Sequence, residues 1–123
     1  MREYAFATGV TDPRCTADAR DVPAADVVVP PTFPACFTVA RGGTIHDDPE
    51  LGAHWNLVHG AQEYTYHRPI RVGDVLTCTP WIADIKERGR LELLTLRIDC
   101  VDADGGPVLD SSGTIIFFNE GSA

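Results

Sequence analysis

The second half of the chain alternates apolar and polar positions in short runs, and turn residues separate these runs. This pattern is typical of antiparallel strands. Residues 87–90 have a length suited to a hairpin, and residues 103–106 contain a Gly-Gly turn. The predicted strands span residues 61–66, 75–86, 91–103 and 107–119. The second and third of these are expected to pair antiparallel through the hairpin at residues 87–90.

The first half has helical spacing instead, interrupted by three prolines between positions 30 and 34. Proline is tolerated only in the first turn of a helix, so we expect Thr32 to cap a helix that carries Phe33 and Phe37 on one face. Gly42 and Gly43 are its expected end. Residues 44–54 are predicted either as further turns or as a loop packed over the sheet.

Composition limits the size and the partners of the protein. A chain of 123 residues with 44% hydrophobic content makes one domain, residues 1–123, that can bury a core. Helical elements followed by a run of strands indicate the α+β class. The net charge of −8 argues against nucleic acid or an anionic membrane surface as the main partner, because both require a basic surface.

The four cysteines and four histidines form no C-x-x-C pair and no spacing typical of zinc sites. We therefore expect four free thiols, no metal and no cofactor. The chain has no apolar run of the signal-peptide type, and none that approaches the roughly 20 residues needed to span a bilayer. These features predict a cytoplasmic protein.

Two segments carry the pattern of a known family. Residues 4–18, YAFATGVTDPRCTAD, resemble F-A-x-x-T-G-D-x-N-P-x-H-x-D, and residues 59–76, HGAQEYTYHRPIRVGDVL, resemble H-G-x-Q-x-[FY]-x-[YF]-H-R-P-[LI]-x-x-G-D-x-L. These are patterns of the MaoC-like (R)-specific enoyl-thioester hydratases and hydroxyacyl-thioester dehydratases. The second is similar to their non-catalytic or N-terminal-half domains. The resemblance implies the hotdog fold, in which an antiparallel β-sheet wraps around a central α-helix.

The same resemblance places the family's catalytic aspartate at Val10 and its catalytic histidine at Cys15. Adding or removing water across an α,β-unsaturated thioester requires groups that exchange protons near neutral pH. Valine has no such proton, and a cysteine thiol, with a reference pKa of about 8.5, lacks the second nitrogen of imidazole. A free cysteine is more often a small buried apolar residue than a nucleophile. No catalytic residue is therefore expected at these two positions.

Other polar residues could replace the lost pair, and each has a structural interpretation as well. Asp12 could act as a base, but an aspartate just before proline most often shapes a turn. His59 and His67 could line an active-site tunnel, or they could be hydrogen-bonding residues of a strand. Arg68 and Arg71 could bind a phosphate, although solvated arginines are the default at strand ends. Asp12 and His59 remain the candidates for catalysis by this chain alone.

The resemblance also implies a substrate tunnel and a partner. Hotdog domains usually begin with a strand before the helix that holds Ala5 and Ala7, and no such strand is apparent here. We expect either a sheet that is one strand short or a partner at its open edge. The expected tunnel residues are Thr32, Phe33, Phe37, His59, Gly60 and Gln62.

Three functions remain open at this point. In the first, the chain is the non-catalytic, tunnel-shaping subunit of a heterodimeric or heterotetrameric dehydratase or hydratase. A catalytic MaoC-like hotdog partner would then supply the Asp/His pair, and the substrate would be an acyl-CoA or an acyl carrier protein thioester. In the second, a homodimer binds thioesters without catalysis. In the third, a homomeric enzyme uses Asp12 or His59 for dehydration, cyclisation or isomerisation.

Overall fold

The computed structural model describes residues 1–16, 23, 26–39 and 56–118. Within these residues three short helices come first and four long strands follow, so the predicted α+β class is confirmed. The elements are α1 (Arg2–Ala7), α2 (Pro13–Thr16), α3 (Ala35–Thr38), β1 (Leu57–Tyr66), β2 (Thr77–Arg88), β3 (Leu91–Val101) and β4 (Pro107–Phe118).

The four strands form one antiparallel sheet in the order β1-β4-β3-β2. The hairpin between β2 and β3 is tighter than predicted, because only residues 89 and 90 form its turn. Gly89 takes a φ of 62°, a conformation that glycine adopts without steric cost. The predicted pairing of the second and third strands is confirmed, with Thr77 opposite Val101 and Arg88 opposite Leu91.

The first strand starts earlier than predicted, at Leu57 instead of residue 61. The pairing of β1 with β4 shifts between His59 and Ala61, so Gly60 is the extra residue of a bulge. A bulge breaks the two-residue alternation, and for this reason the pattern of apolar positions hid the start of the strand. A Cβ atom at position 60 would lie 2.7 Å from Cδ1 of Ile116, so glycine also leaves room for that side chain.

The predicted helix start at Thr32 is wrong. Residues 31–34 form a turn, and α3 follows it with Pro34 at the N-cap position and without a side-chain cap. The Thr32 hydroxyl instead accepts a hydrogen bond of 2.6 Å from the Tyr4 hydroxyl. The predicted further turns or loop at residues 44–54 lie outside the described residues.

The core lies on one face of the two central strands, β3 and β4. Alternate residues of a strand point to the same face, and most of these positions are apolar, with Ser111 and Gly113 of β4 among the exceptions. Phe37, Tyr64 and Leu76 pack against this face from other parts of the chain. The buried hydrophobic residues of the two strands are Leu94, Ile98, Cys100, Val108, Leu109 and Phe117.

Strand β2 lies at the edge of the sheet, with β3 as its neighbour in the described part of the chain. Residues 81–88 are all exposed, including Ile82 and Ile85 on the apolar face. On the opposite face the Trp81 indole donates a hydrogen bond of 2.9 Å to Asp99. No helix in the described segments has the length and hydropathy needed to cross a bilayer.

Candidate functional site

The part of the chain that resembles the family's catalytic segment runs from α1 into α2, with Val10 in the connecting loop and Cys15 on α2. Gly9 allows the sharp turn through a φ of 76°. The Val10 amide then donates a 2.9 Å hydrogen bond to the Ala5 carbonyl, and the Cys15 amide donates one of 2.9 Å to the Asp12 carbonyl. Cys15 is buried, with 4% of its surface exposed. The loop is well hydrogen-bonded, but neither side chain provides an acid or a base suited to this chemistry.

Asp12 is held by its neighbour Arg14. Its carboxylate accepts hydrogen bonds from the Arg14 amide at 2.9 Å and from the Arg14 guanidinium at 2.7 Å. These side-chain and backbone hydrogen bonds lower the pKa of Asp12 below its ordinary value. A carboxylate with a lowered pKa is a weaker base, so this geometry favours the role of a turn residue.

The N-terminal loop packs against the turn that precedes α3. The Val28 amide donates a hydrogen bond of 3.1 Å to the Arg14 carbonyl. The Tyr4 ring meets the Phe33 ring edge-on, with 5.4 Å between the ring centroids. These contacts bring the degenerate loop next to residues 27–33, which line the grooves described below.

Hydroxyl groups connect α3 and the turn before it to β1. The hydroxyls of Thr38 and Tyr64 lie 2.8 Å apart, and Thr38 also donates a 2.8 Å hydrogen bond to the Pro34 carbonyl. The Tyr66 hydroxyl donates to the Pro31 carbonyl. Burial raises the pKa of both tyrosines above the ordinary value. This role of the two tyrosines was not predicted, although residues separated by one position share one face of a strand.

Two adjoining grooves lie between residues 27–37 and the segment that connects β1 to β2. The small groove has a volume of about 350 Å³ and the large groove a volume of about 650 Å³. Both grooves include Val29, Ile70 and Arg71 in their lining. The small groove is also lined by Phe33, Phe37, Leu76 and Cys78, and the large groove by Val27, Tyr66, His67 and Arg68.

Of the six predicted tunnel residues, two line one of these grooves and four line neither. Phe33 and Phe37 lie together in the lining of the small groove, with 6.4 Å between their ring centroids. The three predicted tunnel residues on β1 line neither of these two grooves; they are His59, Gly60 and Gln62. Thr32 adjoins Phe33 and bonds to Tyr4, as described above.

The β1 residues pack instead against β4. The Gln62 amide donates a hydrogen bond of 2.7 Å to the Ser111 hydroxyl. A Cβ atom at Gly113 would lie 2.9 Å from Oε1 of Gln62 and 3.5 Å from Cε1 of His59. Glycine at position 113 therefore makes room for both side chains on this face of the sheet.

Charged groups surround the large groove. His67 Nε2 lies 2.9 Å from an Asp110 carboxylate oxygen. The Arg68 guanidinium lies 2.9 Å from Asp74 and 3.4 Å from Asp102. Arg71 donates its backbone amide to Asp74 at 2.7 Å. Within the described residues, no group of three or more His, Cys, Asp or Glu side chains is arranged to hold a metal ion.

Both carboxylates beside Arg68 have pKa values below the ordinary value. Hydrogen bonds from the Arg68 side chain are the main cause for Asp74, and the backbone amide of Gly106 is the main cause for Asp102, with Arg68 contributing. These two ion pairs connect the turn before β2 to the turn between β3 and β4. Arg68 therefore stabilises the wall of the large groove.

Acid is expected to weaken this connection. A carboxylate with a lowered folded pKa stabilises the fold fully above its unfolded pKa of about 3.9, and this contribution is lost as the pH falls through the folded value. The Tm should therefore fall below about pH 4, and Arg68→Met should make that fall shallower. Thermal unfolding followed by circular dichroism at successive pH values measures both slopes. Arg90→Met, in the exposed hairpin turn, is the matched control, and equal slopes in the two variants would contradict the assignment.

The comparisons with known proteins agree with this architecture. The family model described as "FAS1-like, dehydratase domain region" matches residues 1–111. A UPF0336 protein of Thermobifida fusca is 38% identical over 111 residues, which cover 86% of this chain and 73% of the relative. A UPF0336 protein of Saccharopolyspora erythraea is 37% identical over 92 residues, but these cover 74% of this chain and only 59% of the relative. The chain thus spans part of the length of these relatives.

Solved structures show the same fold. The C-terminally truncated HadBC (3R-hydroxyacyl-ACP dehydratase) complex of Mycobacterium tuberculosis matches with a TM-score of 0.77 and 22% identity, over 94% of this chain and 82% of that one. The ChsH1-ChsH2 complex of the same organism matches with a TM-score of 0.69 and 21% identity, over 98% of this chain and 77% of that one. The chain belongs to the FAS1-like dehydratase-region family and has the hotdog fold of the MaoC-like dehydratases.

Proposed function

We propose that this chain is the non-catalytic, tunnel-shaping subunit of a heteromeric dehydratase or hydratase. The reaction interconverts a (3R)-hydroxyacyl thioester and a trans-2-enoyl thioester. One observation carries the proposal: apolar Val10 and buried Cys15 occupy the two positions of the family's acid–base pair, in a segment whose Arg14 carbonyl is hydrogen-bonded to Val28 of the large groove. Proton transfer at the substrate then has to come from another chain.

The chemistry divides between the two subunits. The partner's Asp/His pair removes the α-proton and protonates the 3-hydroxyl group as it leaves. This chain contributes the apolar wall along which the acyl group lies, with Phe33, Phe37 and Leu76 in the small groove. Burial of each methylene against such a wall is worth about 0.8 kcal/mol. The wall therefore selects substrates by the length of the acyl group.

The carrier end of the thioester bears phosphate, whether the carrier is coenzyme A or an acyl carrier protein. Arg68 is already occupied by Asp74 and Asp102. Arg71 lines both grooves, and among the described residues its guanidinium has no carboxylate within 4 Å. It is the cation best placed to attract that phosphate, which would orient the acyl group toward the small groove.

Two structural relatives support a partner of the same fold. Both the HadBC and the ChsH1-ChsH2 structures are of complexes, and the first is a 3R-hydroxyacyl-ACP dehydratase. The net charge of −8 supports neither nucleic acid nor an anionic membrane as an alternative partner. A hotdog chain that carries the Asp/His pair is therefore the proposed partner.

Co-expression with a neighbouring hotdog-family reading frame tests the proposal. The chain alone, the partner alone and the purified mixture are assayed for hydration of a crotonyl thioester, and the mass of each species in solution is recorded. Activity that requires a stable mixed complex is the expected result. A partner variant without its own Asp/His pair is the control and should abolish turnover while the complex still forms.

Other results of this experiment would support one of the two alternative functions. A homodimer that binds the thioester without turnover in any mixture would favour a binding module. Turnover by the chain alone would contradict the proposal and point to Asp12 or His59. Asp12→Asn and His59→Gln would then distinguish these two residues, because only the variant at the catalytic position should lose activity.

A further inference from the structure

Two cysteine thiols face each other across the β2–β3 hairpin. Cys78 of β2 lies directly opposite Cys100 of β3 in the strand register. Their sulfur atoms are 3.0 Å apart, and the Cys100 thiol donates a hydrogen bond to the Cys78 sulfur. The pairs on either side, Thr77 with Val101 and Thr79 with Asp99, keep this register fixed. The two sulfurs are therefore held together by the sheet.

The backbone geometry of such a pair suits a disulfide. Residues directly opposite each other in an antiparallel pair have Cα atoms about 4.5–5.5 Å apart. A disulfide accepts Cα separations of roughly 4.4–6.8 Å and needs sulfurs about 2.05 Å apart. The thiols thus have to approach by only about 1 Å, which small rotations of the side chains can supply.

The two thiols differ in their access to reagents. Cys78 is partly exposed and lines the small groove. Cys100 has 1% of its surface exposed, and burial, followed by its hydrogen bond to Cys78, raises its pKa far above the ordinary value. A reagent in the groove therefore reacts with Cys78 first, and the buried Cys100 is positioned to react with Cys78 in a second step.

We propose that Cys78 and Cys100 are an oxidation site, which a peroxide converts into a reversible cross-strand disulfide. The Cys78 thiolate attacks one peroxide oxygen and breaks the O–O bond, giving a sulfenic acid and, with a proton, water or an alcohol. The Cys100 sulfur then attacks the Cys78 sulfur and forms the S–S bond. The sulfenic hydroxyl leaves and takes up the Cys100 proton as water. The peroxide is thereby reduced by two electrons and the thiol pair is oxidised by two.

The reaction requires only the two thiols and the peroxide, whatever the activity of the chain. It does, however, change the small groove, because Cys78 is part of its lining. The bond would tie the start of β2 to the end of β3. Reduction by a dithiol restores the original wall.

Hydrogen peroxide on the purified protein tests the proposal. The intact mass should fall by two hydrogen atoms, and the thiols that react with iodoacetamide after unfolding should fall from four to two. Peptide mapping should join the peptides that contain Cys78 and Cys100. Dithiothreitol should restore all four thiols. Cys36→Ser, at an exposed cysteine outside the pair, should retain the mass loss, whereas Cys78→Ser and Cys100→Ser should abolish it.

Three results would overturn the proposal. The four thiols could survive the peroxide unchanged, the peroxide could consume Cys36 by joining two chains, or Cys78 could become a sulfinic acid while Cys100 still reacts with iodoacetamide. The peptide map of the unsubstituted protein distinguishes all three. The test therefore does not depend on correct folding of the serine variants.

Discussion

Replacing Leu109 with alanine is expected to lower the free energy of unfolding by about 2–5 kcal/mol, the range found for buried leucines. Leu109 is fully buried in a cluster with Ile98, Cys100 and Val108. It lies on β4, which pairs with both β1 and β3, so neighbours on two sides restrict any collapse of the resulting cavity. Denaturation by urea, followed by circular dichroism, measures the loss.

Val75→Ala is the matched control for this substitution. Val75 has 70% of its surface exposed in the segment before β2, and its truncation should change stability by no more than about 0.5 kcal/mol. A loss from Leu109→Ala that is as small as the control would show that the centre of the core lies elsewhere.

Filling the shared wall of the two grooves is expected to have the largest effect on activity. Val29 lines both grooves, and Val29→Trp would place an indole where the acyl chain is proposed to lie. Exclusion of two or three methylenes, at about 0.8 kcal/mol each, corresponds to a fall of about 10- to 100-fold in kcat/KM for a long acyl thioester. The crotonyl thioester is shorter and should be affected far less. Steady-state kinetics of the mixed complex on both substrates measures the difference.

Val75→Trp provides the control, because Val75 lines neither of the two grooves and is well exposed. It should leave both rates close to those of the unsubstituted complex. An equal fall for the long and the short thioester after Val29→Trp would indicate damage to the complex. An unchanged rate for the long thioester would place the acyl chain outside these grooves.

The strands were more predictable from sequence than the helices, for a physical reason. A sheet with one buried face imposes a two-residue alternation, and glycines mark its tight turns at positive φ, as at Gly89 and Gly105. The start of β1 escaped prediction because the bulge at Gly60 interrupts that alternation. The prediction of Thr32 as the helix cap was wrong because its hydroxyl is hydrogen-bonded to Tyr4, which is 28 residues away in the sequence.

The candidate site was only partly predictable in the same way. Phe33 and Phe37 were expected to lie together, and both do line the small groove, but Phe33 belongs to the turn before α3 and only Phe37 lies on the helix. The large groove depends on the packing of residues 27–31 beside residues 66–71, and no local pattern encodes a contact between segments so distant in sequence. The pair of Cys78 and Cys100 requires the register of β2 and β3, which spacing along the chain does not reveal.

Because the edge of β2 is exposed, the net negative charge of the protein affects its tendency to self-associate. Among the described residues β2 is an edge strand that exposes Ile82 and Ile85, and such a strand is a template on which other β-strands can pair. The net charge of −8 makes copies of the chain repel one another at a distance, and salt shortens the reach of that repulsion to about 10 Å at 0.1 M. Low ionic strength therefore favours the dispersed chain, whereas high salt permits edge-to-edge association when no partner covers β2.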